Sequence, residues 1–415
     1  MNAHPNAPGS RSRWAVLAAA GAMAAALKVG AGTPALAASA SPVAASVPAS
    51  AAVSASASAA VPPLDPAALR AALAQRPAAD VSAGFVRVTG SAGRFVGTSA
   101  EDGMAVDPQG RFRIGSISKV FTATVVLQLA GEGRIDLDGT VRQYLPDFPY
   151  EGVTVGQLLN HTSGLPGGSN VPWGDGTTGW FAGHRLDSFT PEDVIATMNG
   201  QKLGFTPGTA QQYNGMNTFV AGLLVEEVTG HRYADELRDR VLRPLGLHDT
   251  ALPDGDDPRL RHPATHPYLT VPDADGGTHR ADVTEQSPWP WAEGGMISSA
   301  PDLEHFMTAL FRGRLLPPAQ QEELFTVPHV PVAPGSSHCP GGTACMSMGL
   351  ERLSAEGIVA WGKTGSRPGS TSGVFATRDL SRTVVYSVDP TALDGAETPY
   401  ALGLLKSAFG LKSIG

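Results

Sequence analysis

Ser116-Ile117-Ser118-Lys119 sets a hydroxyl and an amine three residues apart. On a helix, positions i and i+3 share a face, so at a first helical turn Ser116 and Lys119 point the same way. The N-terminus of a helix carries partial positive charge and unpaired N–H groups. That field disfavours the ammonium form of Lys119, and burial disfavours it further. A neutral amine beside a hydroxyl accepts its proton, which activates a weak serine nucleophile. The same N–H groups can hold an oxyanion. The competing reading is a capping serine followed by a solvated lysine, and Ser-x-x-Lys alone does not separate the two. Two further segments shift the balance. Tyr213-Asn214-Gly215, just ahead of a helix, offers a phenol for proton transfer. Lys363-Thr364-Gly365, after an expected strand at 358–361, offers a second cation facing the site. Together they make a complete acyl-transfer set.

Different elements must hold these segments. After Ser116, the apolar residues Val120, Phe121, Val125, Val126 and Leu129 recur at helical spacing, and Gly131 and Gly133 end that helix. Residues 153–160 read as a helix running into a turn at 161–165, where His161 is a structural hydrogen-bonding residue. Residues 165–180, rich in Gly, Pro and Trp, read as a long loop over the cleft. Helices are expected at 218–228, with Gly230 behind it, and at 234–242, 301–311 and 402–409, while Pro and Asp break up 247–295. Residues 81–98 alternate around Gly90 and Gly93 as a hairpin. Further strands are expected at 358–361, 373–377 and 382–389. Strands at both ends with helices between predict an α/β (α+β) fold, one sheet built from distant pieces. Its α/β part covers about 64–145 and 290–415, and an all-helical part covers about 146–289.

The chain has 415 residues, 42% hydrophobic and 16% charged, with net charge −8. The apolar fraction is too high for a wholly disordered chain. The acidic balance and the lack of a long basic run argue against nucleic acid as a partner. Two cysteines, Cys339 and Cys345, exclude a disulfide-dense scaffold and a four-cysteine zinc site. In an oxidising exterior they can close a small loop. His338 beside them lacks the further ligands a metal needs, so no metal or other cofactor is expected. Arg11 and Arg13, an apolar run over 14–27 and the small residues Ala35-Leu36-Ala37 read as a cleaved export signal over 1–37. The run is shorter than the ~20 residues a spanning helix needs, and Lys28 interrupts it. Residues 38–63, almost pure Ala, Ser, Val and Pro, read as a disordered linker. A secreted protein without a stable membrane anchor is the expectation, and a monomer.

Several segments in order resemble the class C β-lactamase and D-alanyl-D-alanine carboxypeptidase family. They are FRIGSISK ending at Lys119, QLLNHTSGL ending at Leu165, the helix after Asn217, WAEGGMISS starting at Trp291, and 361–369. Ser-x-x-Lys combined with Lys-Thr-Gly is the signature of penicillin-interacting serine enzymes. The likeness covers nearly all of 64–415 and is greatest to secreted actinobacterial carboxypeptidases. It implies a β-lactamase/transpeptidase-like fold, a mostly antiparallel sheet flanked by helices plus a helical domain, with the site between them. It also implies an acyl-serine mechanism without metal, acting on peptidoglycan stem peptides and acylated by β-lactams. By position, Ser116 is then the nucleophile, Lys119 helps deprotonate it and Tyr213 shuttles a proton. Lys363 sits near the substrate carboxylate, and Thr364, Gly365 and Ser366 line the acyl-binding strand. Trp291 lines the pocket.

This chain departs from the pattern twice. The family reads Tyr-x-Asn where Gly215 stands, so Asn214 or Asn217 must bind the acyl-side amide if any asparagine does. The nearest carboxypeptidases carry His at Lys363, and their carboxylate-binding arginine falls near Glu351 and Arg352, which makes Arg352 the candidate. The first expectation is a secreted serine DD-carboxypeptidase. A β-lactamase or esterase on the same scaffold and a non-catalytic penicillin-binding homologue are the alternatives. The Gly-rich run at 174–179 lacks a preceding strand for a dinucleotide site, Asp273-Ala274-Asp275-Gly276 lacks the distal Glu of a calcium loop, and no Gly-x-Ser-x-Gly elbow occurs.

Overall fold

The computed structural model describes residues 59–167, 174–336 and 338–412. The expected export signal over 1–37 and most of the expected linker over 38–63 lie outside them, as do residues 168–173 of the expected loop. The end of the linker does not stay apart: Ala59 N donates to Gly357 O at 2.7 Å, and Pro62 O accepts from Arg382 Nη2 at 2.7 Å. Packing therefore begins a few residues before Leu64, because a turn carbonyl at Gly357 and the Arg382 side chain supply partners there. Among the described residues no helix is long and apolar enough to cross a membrane.

The strands are β1 (Val81–Thr89), β2 (Phe95–Ala100), β3 (Arg111–Arg113), β4 (Tyr268–Pro272), β5 (Thr278–Asp282), β6 (Ile297–Ser299), β7 (Glu351–Ala355), β8 (Ile358–Arg367), β9 (Ser370–Thr377) and β10 (Thr383–Pro390). Six of them form one sheet in the order β2-β1-β10-β9-β8-β7, and its described pairings are antiparallel. The central β10 is buried throughout, as its Val-rich run dictates for a strand covered on both faces. On one face, Leu69 and Leu73 of the Pro66–Ala74 helix and Leu404, Leu405 and Phe409 of the Thr398–Phe409 helix bury Val86, Val384 and Val388. Inside the molecule, Phe121 and Phe306 stack at 3.8 Å, locking the Ser118–Gly131 helix to the Ala300–Phe311 helix. Replacing either Phe by Ala removes a payload of about 3–5 kcal/mol.

Three expectations change. The region 146–289 is not all-helical: β4 and β5 form a hairpin in it, with Leu269, Val271 and Val283 packing against Phe181. Lys363-Thr364-Gly365 lies within β8 rather than after it, since β9 pairs with β8 through to Arg367. Ser116 sits in a 3₁₀ turn, Gly115–Ile117, that feeds the helix beginning at Ser118. The geometry survives, because side chains at i and i+3 eclipse in a 3₁₀ turn.

Candidate active site

The Ser118–Gly131 helix is buried on all sides over its first turns, so Lys119 points into protein rather than solvent. Its Nζ donates to Ser116 Oγ at 2.9 Å. Tyr213 OH donates to the same oxygen at 2.7 Å. Three expected residues from two separate segments thus converge on one hydroxyl. Lys363 reaches across from β8, its Nζ 4.6 Å from the Tyr213 ring centroid, while Lys119 Nζ lies 5.2 Å from it.

Two glycines let the strand and the turn close together. A Cβ on Gly365 would lie 1.9 Å from Ile114 O, and one on Gly115, whose φ is +47°, would lie 2.6 Å from Ser366 N. Only glycine permits this approach, which sets the backbone of Ser366 beside that of Ser116.

The space vacated at Gly215 is occupied. A Cβ there would lie 2.7 Å from Glu293 Oε1 and 3.0 Å from Glu293 Cγ. The Glu293 carboxylate therefore stands where a longer side chain at 215 would go, and it pairs with Lys119 Nζ. The backbone carbonyl of Glu293 also accepts from Lys119 at 2.9 Å.

Burial holds Lys119 below the ordinary ammonium range, and the Glu293 carboxylate only partly opposes this. Burial pushes the Tyr213 phenol up to about 12, with Lys363 pulling it the other way. Tyr213 thus keeps its proton, and Lys119 is the group suited to accept one. His161 is held well below the usual imidazole value by burial and by the charges of Lys119 and Lys363. Its Nδ1 accepts from Asn214 N at 3.3 Å, the structural role read from sequence.

The wall opposite Lys119 contains a residue the sequence reading weighed only as a metal ligand. His338 stacks on Tyr213, centroids 4.4 Å apart. It is anchored by the next residue, since Cys339 is disulfide-bonded to Cys345. Gln211 Oε1 accepts from Cys345 N at 2.9 Å and from Met346 N at 3.1 Å, tying that loop to the segment bearing Tyr213. Lys363 Nζ lies 3.5 Å from Glu351 Oε2.

Ser116 lines two hollows. One, of about 290 Å³, also takes in Tyr213, His338, Lys363, Thr364, Gly365 and Ser366. The other, of about 240 Å³, takes in Trp180, Phe181, Phe189, Trp289, Glu293, Ser366 and Arg367.

Three expected binding residues fall elsewhere. Trp291 packs on Tyr233 at 5.3 Å and on Phe219, and lines a separate hollow of about 460 Å³ without Ser116. It opens the short Trp291–Gly294 helix, whose turn leaves Trp289 to line the serine hollow instead. Asn217 lies inside the Met216–Thr229 helix, where its Oδ1 accepts from Ser163 Oγ at 2.5 Å and its Nδ2 meets His161 Nδ1 at 3.1 Å. Asn214 is equally committed, donating to Leu165 O at 2.6 Å and accepting from Met216 N at 2.9 Å. Arg352 is exposed, because alternation along β7 aims Glu351, not Arg352, at Lys363. Glu293 was legible only as part of a family-like segment, with nothing local to mark it.

Residues 69–404 match the family described as Beta-lactamase. Among solved structures, the chain is similar to a D-stereospecific amidohydrolase from Streptomyces sp., 32% identical with a TM-score of 0.70, covering 83% of this chain and 98% of that one. It shares the fold of the penicillin-binding protein from Bacillus halodurans, 21% identical with a TM-score of 0.60, covering 77% and 94% of the two chains. Penicillin-binding protein 4 of Amycolatopsis lactamdurans is 37% identical over 154 residues, 36% of this chain and 38% of that protein. Protein flp of Staphylococcus aureus (strain MW2) is 30% identical over 228 residues, 54% and 42% of the two. The chain thus spans about four-tenths of the length of these curated relatives.

Proposed function

The chain belongs to the Beta-lactamase family and is a serine hydrolase, and we propose that it cleaves the amide bond after a D-amino acid residue through an acyl-Ser116 intermediate. The observation that carries this is the double contact on Ser116 Oγ, from Lys119 at 2.9 Å and from Tyr213 at 2.7 Å. Neutral Lys119 takes the serine proton as Oγ attacks the carbonyl carbon. The backbone N–H groups of Ser116 and Ser366 hold the oxyanion. Tyr213 gives its proton to the departing nitrogen as the C–N bond breaks, and regains one from the Lys119 ammonium. Water then adds to the acyl carbon, its proton passes to the same base, and Ser116 departs reprotonated. The D-configuration is supported by the likeness to the Streptomyces amidohydrolase.

A second reading is a D-alanyl-D-alanine carboxypeptidase acting on peptidoglycan peptides and acylated by penicillins. It is favoured by Lys363, which lines the hollow with Ser116 as a cation for a terminal carboxylate. Secretion is part of the proposal on either reading, supported by the N-terminal apolar run and by the Cys339–Cys345 disulfide.

The test uses the purified chain and its Ser116→Ala variant with a fluorescent penicillin, a D-alanyl-D-alanine peptide and a D-phenylalanine anilide. We expect covalent labelling and anilide turnover, both lost by at least ~10³-fold in the variant. Labelling or turnover undiminished in the variant removes Ser116 from its role.

A further inference from the structure

We propose that Glu293 is the acceptor for a free α-ammonium group on the substrate's acyl residue, so that the preferred substrates are unblocked D-amino acid amides and D-amino-terminal peptides with an aromatic side chain. The inference rests on the acyl-Ser116 reading and specifies its substrate.

Chemistry at position 215 comes first. An asparagine amide there carries a donor that can meet the carbonyl of an N-acylated substrate. Gly215 has no side chain, and the carboxylate that fills its place only accepts. Facing an acyl carbonyl, Glu293 sets like partial charges together. Facing an ammonium, it makes a charge-assisted hydrogen bond. Glu293 lines the hollow that holds Ser116, so it stands on the substrate's path. Its Oε1 is used by Lys119, and its Oε2 makes no hydrogen bond to a described residue.

Charge balance points the same way. When Lys119 is neutral, as a base must be, Glu293 loses the cation in contact with it and keeps only the more distant charge of Arg367. A substrate ammonium supplies the missing charge, and a second cation beside Lys119 favours its neutral form. An acylated substrate does neither. Arg367, the other charged group in this hollow, feels the Glu293 charge but donates to Gln286 Oε1 at 3.0 Å rather than to the carboxylate. The Trp180, Phe181 and Trp289 rings line this hollow and give an aromatic side chain its apolar contacts.

On the opposite side, Lys363 is balanced by Glu351, which weakens its pull on a terminal carboxylate. This separates the proposal from the carboxypeptidase reading.

The experiment measures kcat and KM for D-phenylalanine p-nitroanilide and its N-acetyl derivative, using the full chain and the Glu293→Gln and Gly215→Asn variants. The intact protein should favour the free amine by about 10- to 100-fold, the scale of one charge-assisted hydrogen bond. Glu293→Gln should cut that ratio at least ~10-fold, chiefly through KM, whatever it does to both substrates through Lys119. Gly215→Asn, which must displace Glu293, should raise the relative rate on the acetylated anilide. A ratio unchanged by Glu293→Gln, or an intact protein that prefers the acetylated substrate, overturns the proposal while leaving acyl-Ser116 chemistry standing. If neither anilide turns over, Ser116→Ala protein is titrated with D-phenylalaninamide and its N-acetyl form. Equal affinity there also overturns it, and penicillin labelling reports separately on Ser116.

Discussion

The hollow bounded by Tyr213, His338 and Lys363 and the hollow bounded by Trp180, Trp289 and Glu293 are close in size, about 290 and 240 Å³, and share Ser116 and Ser366 as a common wall. They carry charge differently. In the first, Lys363 faces Glu351 at 3.5 Å, and the His338 imidazole is held below its usual value by burial and by Lys363. Its cation already has a carboxylate partner, and a second carboxylate, Glu397, lies on the same wall. In the second, the Glu293 carboxylate is in ion-pair contact with a lysine that chemistry requires to be neutral, with the Arg367 charge farther off, amid aromatic rings. Selection therefore concentrates in the aromatic hollow, where an incoming group can complete a charge. The hollow beside Lys363 accommodates whatever leaves.

The largest expected effect comes from breaking the shared wall. In Gly365→Ala the new methyl falls 1.9 Å from Ile114 O, so β8 and the serine turn must part and the Ser366 N–H must withdraw. Loss of one oxyanion donor costs on the order of 10²-fold in kcat. The loss should be equal for free and acetylated anilides, because both hollows lose the same wall. Steady-state kinetics on the two substrates reads this. A loss confined to one of them would mean that Gly365 serves one hollow only.

The shared wall was largely legible in the sequence, and the aromatic hollow was not. Ser116 and Lys119 declared themselves by spacing, and Tyr213 and Lys363 by motifs that recur in order along the chain. These are local patterns, and a turn or a strand transmits them intact. Glu293 became meaningful only through an absence 78 residues away, at Gly215, and only space-filling coordinates join the two. Arg352 was misplaced by one residue, and in a strand one residue reverses the face. Asn217 was misread because a helix first turn buries what a loop would expose. The hairpin β4–β5 was hidden by Pro and Asp, which mark turns without saying what runs between them.

A smaller effect sharpens the contrast between the two sides. Trp289→Ala removes a ring that lines only the aromatic hollow of the two. It should raise KM for a D-phenylalanine anilide about 10-fold, the scale of one lost aromatic contact. A D-alanine anilide, which never reaches the ring, should change little. His338→Ala works from the other side and should move both substrates alike. Equal losses on the two anilides in Trp289→Ala would show that the ring supports the fold rather than the acyl group.

The subtlest effect is a displacement of a pH limb. In the free enzyme, kcat/KM rises with pH as Lys119 loses its proton. Burial lowers the Lys119 value and the Glu293 carboxylate raises it, so the two groups oppose each other. Glu293→Gln removes the opposing charge and leaves burial in place. Lys119 then deprotonates at lower pH, and the acidic limb moves down. The substrate for this measurement is the N-acetyl anilide, which has no amine of its own to titrate. The groups around Lys119 that also titrate are Tyr213, His161, His338 and Lys363, and none of them changes charge by this substitution. Tyr213, at about 12, belongs to the alkaline limb; burial is the main cause of its high value, but the Glu293 charge adds to it, so the alkaline limb should move down as well. An acidic limb that stays put, or moves upward, would assign it to a group other than Lys119. The carboxylate at 293 would then be tuned to the substrate alone and not also to the base.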